Sequence, residues 1–351
     1  MTLTNTEHLD TSDGNGSDAS APSPVAAPTP SSRLKGFAER NALLALLLAV
    51  ITFFAVYPES SATFFTSQNA SVLLGNQSVV ALLALAVILP LVTGYFDFSL
   101  GAIAATSSVL TAGLMSFHDL PLGLAVAVGV GVGAVIGGIN GLLVTRFGLN
   151  SFVTTLGMAT LLGGLIQWYT GGQTILAGID PALPRFGGST WLGLPRVVFV
   201  VLITTVALWY LLAQTPFGRS LYAIGSNPRS ARLVGIRVER SVWTTFVLAG
   251  ALAGVTGVLQ LARAGSATAD NGTSLLFPAL AAAFLGATAV VPGFFNAVGT
   301  IIGVLFVSVA VSGLTLSGAS AWASPVFNGA ALLVAVGLSH YLGRHRGVRT
   351  G

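Results

Sequence analysis

The sequence is poor in charge and contains no cysteine. Charged residues make up 7% of its 351 residues and hydrophobic residues 53%, whereas an average soluble protein is roughly 25% charged. A soluble domain with so few charges could not cover its surface with polar groups, so the composition indicates a membrane protein. The missing cysteines exclude disulfides, thiolate metal sites and a cysteine nucleophile.

Recognisable catalytic motifs are also missing. Lys35 is the only lysine and no Gly-x-x-x-x-Gly-Lys-Ser/Thr loop is present, so the sequence excludes a phosphate-binding loop for ATP. Histidines occur only at His8, His118, His340 and His345, and this spacing predicts no metal cluster. We therefore expect no catalytic residues, no bound metal and no cofactor, and any ATP hydrolysis must come from another chain.

Long apolar runs are what the sequence does contain, with a mean hydropathy of +0.84. A helix needs about 20 apolar residues to cross a bilayer, and about ten such spans are predicted. They are Asn41–Tyr57, Ser71–Val92, Ser99–Ser116, Leu122–Val144, Phe152–Tyr169, Val197–Ala213, Val242–Leu261, Ser274–Val291, Asn296–Leu314 and Trp322–Tyr341. The predicted fold is an all-α polytopic membrane protein.

The basic residues predict the orientation of these spans. With the N-terminus in the cytoplasm, twelve of the 15 Lys and Arg residues fall on the inner side and three, Arg185, Arg196 and Arg263, on the outer side. Cytoplasmic loops of membrane proteins carry an excess of Lys and Arg, so both termini are predicted to be cytoplasmic. The same placement accounts for the pI near 9.9 and argues against nucleic-acid binding.

The predicted domain organisation has three parts. Residues 1–35 are rich in Ser, Thr, Ala and Pro with early acidic residues, which is typical of a disordered cytoplasmic tail rather than of a signal peptide. Residues 36–343 form the transmembrane domain, and residues 344–351 form a basic cytoplasmic C-terminus. Glycines repeat every four residues at Gly129–Gly141 and again at Gly250 and Gly254, which predicts close helix packing within one subunit or, alternatively, a dimer face.

The polar stretch 214–241 contains the signals of a short helix. Asn227 is a good N-cap, Pro228 fits the first helical position, and Gly235 can adopt the left-handed conformation that ends a helix. Exposed apolar residues on such a helix indicate a surface that is buried against a protein partner or a membrane. The helix is either a docking helix for a cytoplasmic partner or an interfacial helix that rests on anionic membrane lipids.

Asp97, between the second and third predicted spans, is the only acidic residue predicted at a membrane-embedded position. Gly94 and Gly101 on either side indicate a broken or re-entrant backbone, and irregular backbone at this depth usually lines a cavity. Three interpretations stay open: Asp97 lines a solute pathway, bonds backbone groups to hold the break, or lies at the cytoplasmic interface.

Several motifs resemble those of ABC-importer permeases of the branched-chain amino acid/ribose type. The first is Gly225-x-Asn227-x-x-x-Ala231-x-x-x-Gly235-Ile236, which resembles the region that contacts the ATPase in that family. The others are Gly94-x-x-Asp97-x-Ser99-x-Gly101, Asn140-Gly141-Leu142-Leu143-Val144, Phe152-Val153-x-Thr155-Leu156-Gly157 and Thr170-Gly171-Gly172. The resemblance covers roughly Val72 to Tyr341, and the monosaccharide branch of the family is the most similar.

This resemblance implies a multi-pass inner-membrane permease of the type II ABC-importer kind. It implies three protein partners: a cytoplasmic ATPase, a periplasmic or lipid-anchored solute-binding protein, and a second copy of the chain. The residues that would contact the ATPase are Gly225, Asn227, Pro228, Ala231, Arg232 and Gly235. The residues predicted to line the translocation pathway are Asp97, Ser99, Asn140, Phe152 and Thr155, and for Asn140 and Thr155 the alternative is hydrogen bonding between helices.

One segment departs from the family. Sugar permeases of this type usually carry an acidic Glu-Leu-Asp-Ala-Ile-Ala-Ala run, but here Leu276–Ala282 reads Leu-Phe-Pro-Ala-Leu-Ala-Ala. The family still implies a small polar solute, a monosaccharide above all, without naming which one. The rival hypothesis is a proton-coupled secondary transporter, which needs titratable residues inside the membrane.

Overall fold

The computed structural model describes residues 30–268 and 274–347 of the chain. Its helices, in chain order, are α1 (Pro30–Val56), α2 (Pro58–Phe64), α3 (Ser67–Val92), α4 (Leu100–His118), α5 (Leu122–Thr145), α6 (Ser151–Thr170), α7 (Ala182–Gly188), α8 (Arg196–Gln214), α9 (Pro216–Ser226), α10 (Pro228–Leu233), α11 (Val238–Ala264), α12 (Leu276–Gly286), α13 (Ala297–Leu316) and α14 (Ala323–Gly347). Two short strands, β1 (Thr190–Trp191) and β2 (Leu194–Pro195), form a small antiparallel hairpin between α7 and α8. The all-α prediction is confirmed.

Helices long and apolar enough to cross a membrane number seven among the described residues: α3, α4, α5, α6, α8, α11 and α13. An eighth is obtained if Arg40–Val56 and α2 count as one bent span, since the chain turns by 101° between them. The turn lies at Tyr57, which is extended, and Pro58 then begins α2. Proline restricts the preceding residue to extended conformations, so Pro58 ends α1 at this position.

The predicted span Ser274–Val291 is not confirmed as a full crossing. Its helix, α12, has 11 residues, and at 1.5 Å per residue it is about 16 Å long, against about 30 Å of hydrocarbon. The chain leaves the helix after Gly286, and Val290 and Gly293 both have positive φ values. The count of ten spans and the cytoplasmic placement of both termini therefore stay predictions.

The predicted terminal segments are described only in part. Residues 1–29 of the predicted tail lie outside the described residues, and the remainder, 30–35, belongs to α1. The basic C-terminus is described as helix up to Gly347, and residues 348–351 lie outside the described part.

Helix α3 is the centre of the protein. Every residue from Ser78 to Val92 is buried, and Leu82 to Ala86 are fully inaccessible. A helix that is apolar on all sides is stable only when other helices surround it. Here α4, α8, α11, α12 and α13 pack around α3, so its C-terminal end is fixed from several directions.

Helices α5 and α11 pack backbone to backbone along their glycine stripes. A Cβ atom added to Gly133 would lie 2.5 Å from the Gly250 carbonyl oxygen and 3.0 Å from the Gly254 Cα. One added to Gly137 would collide with the Phe246 carbonyl oxygen. These contacts confirm the interpretation that the stripes pack helices within one subunit.

We expect Gly137→Ala to lower the free energy of unfolding by about 1–3 kcal/mol, the usual cost of an overpacked site. The readout is thermal unfolding of the detergent-solubilised protein. Gly131→Ala is the matched control on the same helix, because a Cβ there has no neighbour within 4 Å. Equal melting temperatures for both variants would contradict the close α5–α11 contact.

Candidate functional site

The connection between α3 and α4, residues 93–99, is a sharp break inside the helical body. Pro90 occupies the last turn of α3, where it cannot donate a backbone hydrogen bond. Its carbonyl oxygen accepts from the amides of Thr93 and Tyr95, each at 3.1 Å. Gly94 has a φ of +84°, which favours glycine and turns the chain away from the helix axis.

A chain of hydrogen bonds holds the second half of the break. The Asp97 Oδ1 atom accepts from the Ser99 amide at 2.9 Å and from the Ser99 hydroxyl at 2.6 Å. The Asn140 Nδ2 atom, on α5, donates to the Ser99 hydroxyl oxygen at 2.7 Å. All three residues are at most 5% exposed. Asp97 thus fixes Ser99, the residue just before α4, and is tied through Ser99 to α5.

Helix α6 closes the break from another side. The Phe98 amide donates to the Thr155 hydroxyl oxygen at 3.0 Å, and this hydroxyl donates to the Ser151 carbonyl at 2.8 Å. The Phe98 ring packs edge-on against Phe152, with ring centroids 5.0 Å apart. Backbone groups that leave a helix need partners inside the protein when no water is available. Thr155 supplies that partner for Phe98.

The five residues predicted to line the pathway therefore meet at one place, but they differ in exposure. Asp97, Ser99, Asn140 and Thr155 are buried, whereas the Phe152 side chain is 48% exposed. Of the three interpretations of Asp97, the hydrogen bonds of its Oδ1 atom favour the one in which it holds the break. The Oδ2 atom of Asp97 and the Oδ1 atom of Asn140 are buried without a hydrogen-bond partner among the described residues.

Sequence reasoning missed the aromatic contacts around the break. Phe96 stacks on Phe98 and on Phe284 of α12, with centroids 6.1 Å and 6.2 Å apart. Phe284 packs edge-on against Phe295 at 5.2 Å. The sequence contained a signal for them: Phe96 closely follows Gly94, and Phe294-Phe295 follow Gly293. Both glycines have positive φ values in the structure.

The stretch 214–241 contains two helices rather than one. Helix α10 begins after Asn227, whose Oδ1 atom accepts from the amides of Arg229 and Ser230 at 3.0 Å and 3.1 Å, and Gly235 has a φ of +85°. The predicted capping is confirmed, although the helix ends at Leu233. Helix α9 was missed, and its signal was the Thr215-Pro216 pair, in which the Thr215 hydroxyl accepts from the Gly218 amide at 3.1 Å.

The residues predicted to contact the ATPase face different ways. Ala231 is 3% exposed and packs against Ile224, Val238 and Phe246, so it anchors α10. Gly225 lies against the carbonyl group of Val92 at the end of α3.

The outer surface of α10 carries the exposed members of this segment. Arg232 forms an exposed ion pair with Glu239 at 2.6 Å. Leu233 and Val234 are 88% and 77% exposed, which is unusual for large apolar side chains beside charged ones. Asn227, Pro228 and Gly235 are exposed too.

Metal and cofactor ligands do not cluster here. Among the described residues, no group of three or more His, Cys, Asp or Glu side chains could hold a metal ion. The polar groups at the break are hydroxyl, amide and one carboxylate, which suit hydrogen bonding to backbone rather than chemistry on a substrate.

Comparisons with known proteins identify the family. Residues 69–336 match the family described as Branched-chain amino acid transport system / permease component. The chain belongs to this permease family. It is 33% identical over 304 residues to the ribose import permease protein RbsC of Escherichia coli (strain K12), covering 85% of this chain and 92% of that protein.

Two further relatives carry sugar names. The ribose import permease protein RbsC of Bacillus subtilis (strain 168) is 37% identical over 275 residues, 78% of this chain and 85% of the relative. The galactose/methyl galactoside import permease protein MglC of Escherichia coli (strain K12) is also similar over 313 residues, 84% of this chain and 91% of the relative. No solved structure gives a significant match.

We expect Thr155→Val to destabilise the protein by about 1–3 kcal/mol, because the partly buried Phe98 amide loses its acceptor. Thermal unfolding of the purified protein measures this. Thr160→Val on the same helix is the control, since Thr160 is exposed and its hydroxyl bonds only to the Leu156 carbonyl of its own helix. A loss no larger than that of the control would show that the Thr155–Phe98 bond does not hold the break.

Proposed function

We propose that this chain is the transmembrane permease subunit of an ATP-binding-cassette importer. It moves a small polar solute of the monosaccharide class across the inner membrane, and a separate chain hydrolyses the ATP. The observation that carries this proposal is the family match over residues 69–336. The relatives named for ribose and galactose import support the solute class.

The ATPase docks on α10 and its flanks. Leu233 and Val234 offer an apolar surface, and the exposed Arg229 lies next to it at the start of the helix. Ala231 fixes the other face of α10 to the helical body. A short helix anchored on one face and apolar on the other is suited to fit a cleft in a partner, and the alternative is a helix that rests on lipid.

Movement of this segment is transmitted to the break through α9. Gly225 lies directly against the Val92 carbonyl, at the last residue of α3 before the break. The Tyr222 hydroxyl donates to the Phe295 carbonyl at 2.7 Å, and its ring contacts Phe294. Burial raises the pKa of Tyr222, so the hydroxyl keeps its proton at neutral pH and the bond persists.

The solute pathway lies between two copies of the chain. Of the five residues predicted to line the pathway, Phe152 is the one whose side chain is exposed on the surface of a single copy. Most residues of α6 are also exposed there. In a homodimer the two Phe152 side chains would narrow the pathway. Asp97, Ser99, Asn140 and Thr155 would hold the backbone that carries Phe98 behind them.

The opposite side of the protein receives the solute-binding protein. The connection between α6 and α8 contains α7 and the hairpin, and it exposes Leu176, Trp191 and Leu192. The distribution of Lys and Arg in the sequence supports an outer position for this connection and cytoplasmic termini.

Proton coupling is not favoured. Asp97 is the only buried acidic side chain among the described residues, and its Oδ1 atom is engaged with Ser99. A proton relay needs a series of titratable groups within the membrane, and the described spans do not provide one.

The experiment is solute uptake by proteoliposomes that contain this chain and its cognate ATPase, with the solute-binding protein outside. We expect labelled ribose or another monosaccharide to enter only when ATP is enclosed. Leu233→Ser combined with Val234→Ser should abolish uptake and the co-purification of the ATPase.

The matched control is Leu333→Ser combined with Val334→Ser. This is the same dipeptide on α14, and it is similarly exposed, but it lies outside the docking helix, so the ATPase should be retained. Uptake without ATP that an uncoupler of the proton gradient abolishes would support the rival transporter instead. Full ATPase binding by the Leu233/Val234 variant would contradict the docking assignment.

A further inference from the structure

A pocket of about 330 Å³ opens between α5 and α11, close to α10. It is lined by Leu142, Thr145, Arg146, Glu239, Arg240 and Trp243. The glycine stripe of α5 ends at Gly141, and larger side chains begin at Leu142. The pocket therefore forms where the close backbone contact of the two helices ends.

Trp243 makes one wall of the pocket rigid. Its indole nitrogen donates to the Gly138 carbonyl at 3.0 Å, and a Cβ atom on Gly141 would lie 3.0 Å from the Trp243 Cδ1 atom. The indole thus lies against the glycine face of α5. Trp243 and Leu142 remain 41% and 46% exposed, which gives the pocket an apolar edge. Tryptophan is enriched at membrane interfaces, where headgroups meet acyl chains.

The charges in the pocket are not balanced. Glu239 is paired with Arg232 of α10 at 2.6 Å. In the described part of the chain, no acidic side chain forms an ion pair with Arg146 or Arg240. These two guanidinium groups lie at the end of α5 and in the first turn of α11, so the pocket carries two uncompensated positive charges beside an apolar edge.

We infer that this pocket binds the phosphate headgroup of an anionic phospholipid. Arginine is suited to phosphate because its planar donors bind the oxygens in pairs, and basic pockets between membrane helices are known to hold acidic headgroups. Leu142 and Trp243 would contact the first part of the acyl chains. The inference uses only the charges and shape of this pocket, whatever solute the chain imports, and rests on the proposed function only for the ATPase complex used in its test.

The position of the pocket lets a lipid bind without disturbing the docking helix. Glu239 lines the pocket and also pairs with Arg232 of α10. A phosphate between Arg146 and Arg240 would compete for neither side chain of that pair, so it would leave α10 tied to α11.

The test is native mass spectrometry of the full chain in complex with its ATPase, after delipidation and addition of phosphatidylglycerol or phosphatidylcholine. We expect phosphatidylglycerol to be retained in preference to phosphatidylcholine. Arg146→Gln combined with Arg240→Gln should weaken its retention about thirtyfold, since each arginine near an anionic headgroup contributes about a factor of five. Arg146→Lys combined with Arg240→Lys keeps both charges and should retain most of the binding.

The control is Arg185→Gln combined with Arg196→Gln, which removes the same two charges away from the pocket and should keep the lipid. Equal loss in this control, or no preference for phosphatidylglycerol in the wild type, would overturn the inference. So would displacement of the bound species by free glycerol phosphate at equal concentration, because the pocket would then bind the phosphate without its lipid. Loss of the ATPase with unchanged lipid retention in the Arg146/Arg240 variant would assign the pocket to the protein partner instead.

Discussion

The structure depends on hydrogen bonds to the backbone groups of residues 93–99, where the helical chain is interrupted inside an apolar protein. Between Val92 and Leu100 the chain leaves one buried helix and enters another, and its amide and carbonyl groups lose their helical partners. Where no water is available, each unpaired group costs several kcal/mol. Pro90 and Gly94 end α3, Asp97 accepts from Ser99 just before α4, Asn140 of α5 donates to Ser99, and Thr155 of α6 accepts from Phe98. These bonds join four helices at one point.

The same requirement explains why polar side chains occur in so apolar a protein. Asn140 is fully buried near the C-terminal end of α5, and its amide bonds to Ser99. Polar groups between membrane helices act mainly as local ties. Because hydrogen bonds join the break to α5 and α6, we expect these segments to move together. A displacement of the break would then also displace Phe152 on α6.

Two contacts connect this break to the segment that we propose for ATPase docking. Gly225 lies against the Val92 carbonyl, and Tyr222 bonds to Phe295 in a second break, the connection of residues 287–296 between α12 and α13. The second break in turn meets the first through Phe284 and Phe96. Helix α9 thus contacts both irregular segments, which gives ATP-driven movement a short physical route to the pathway.

Much of this arrangement could be predicted from the sequence. The glycines around Asp97 indicated a break, and the Asn227-Pro228 pair with Gly235 placed α10 almost to the residue. Both signals are local, since capping and positive φ depend on a few neighbouring residues. The glycine stripes of α5 and α11 indicated close packing, and the structure places it within one chain.

Other features depend on contacts between distant segments. Hydropathy runs unbroken through Ser274–Val291, so it could not show that α12 ends at Gly286. Ala231 is predicted to contact the ATPase, but its burial in a cluster with Ile224 and Phe246 depends on α9 and α11 and has no local signal. The aromatic contacts from Tyr222 to Phe96 join four parts of the chain, and no local pattern specifies such neighbours.

The central claim is that α9 transmits the movement of the docking segment to the break. Its most direct measurement is the number of solute molecules imported per ATP hydrolysed in proteoliposomes of Tyr222→Phe, which removes the hydroxyl bond to Phe295 and keeps the ring. The account predicts normal ATPase assembly with about a fivefold lower ratio, the equivalent of one hydrogen bond of about 1 kcal/mol. Tyr210→Phe, at an exposed position of α8, should keep the wild-type ratio. An unchanged ratio in Tyr222→Phe would contradict the account.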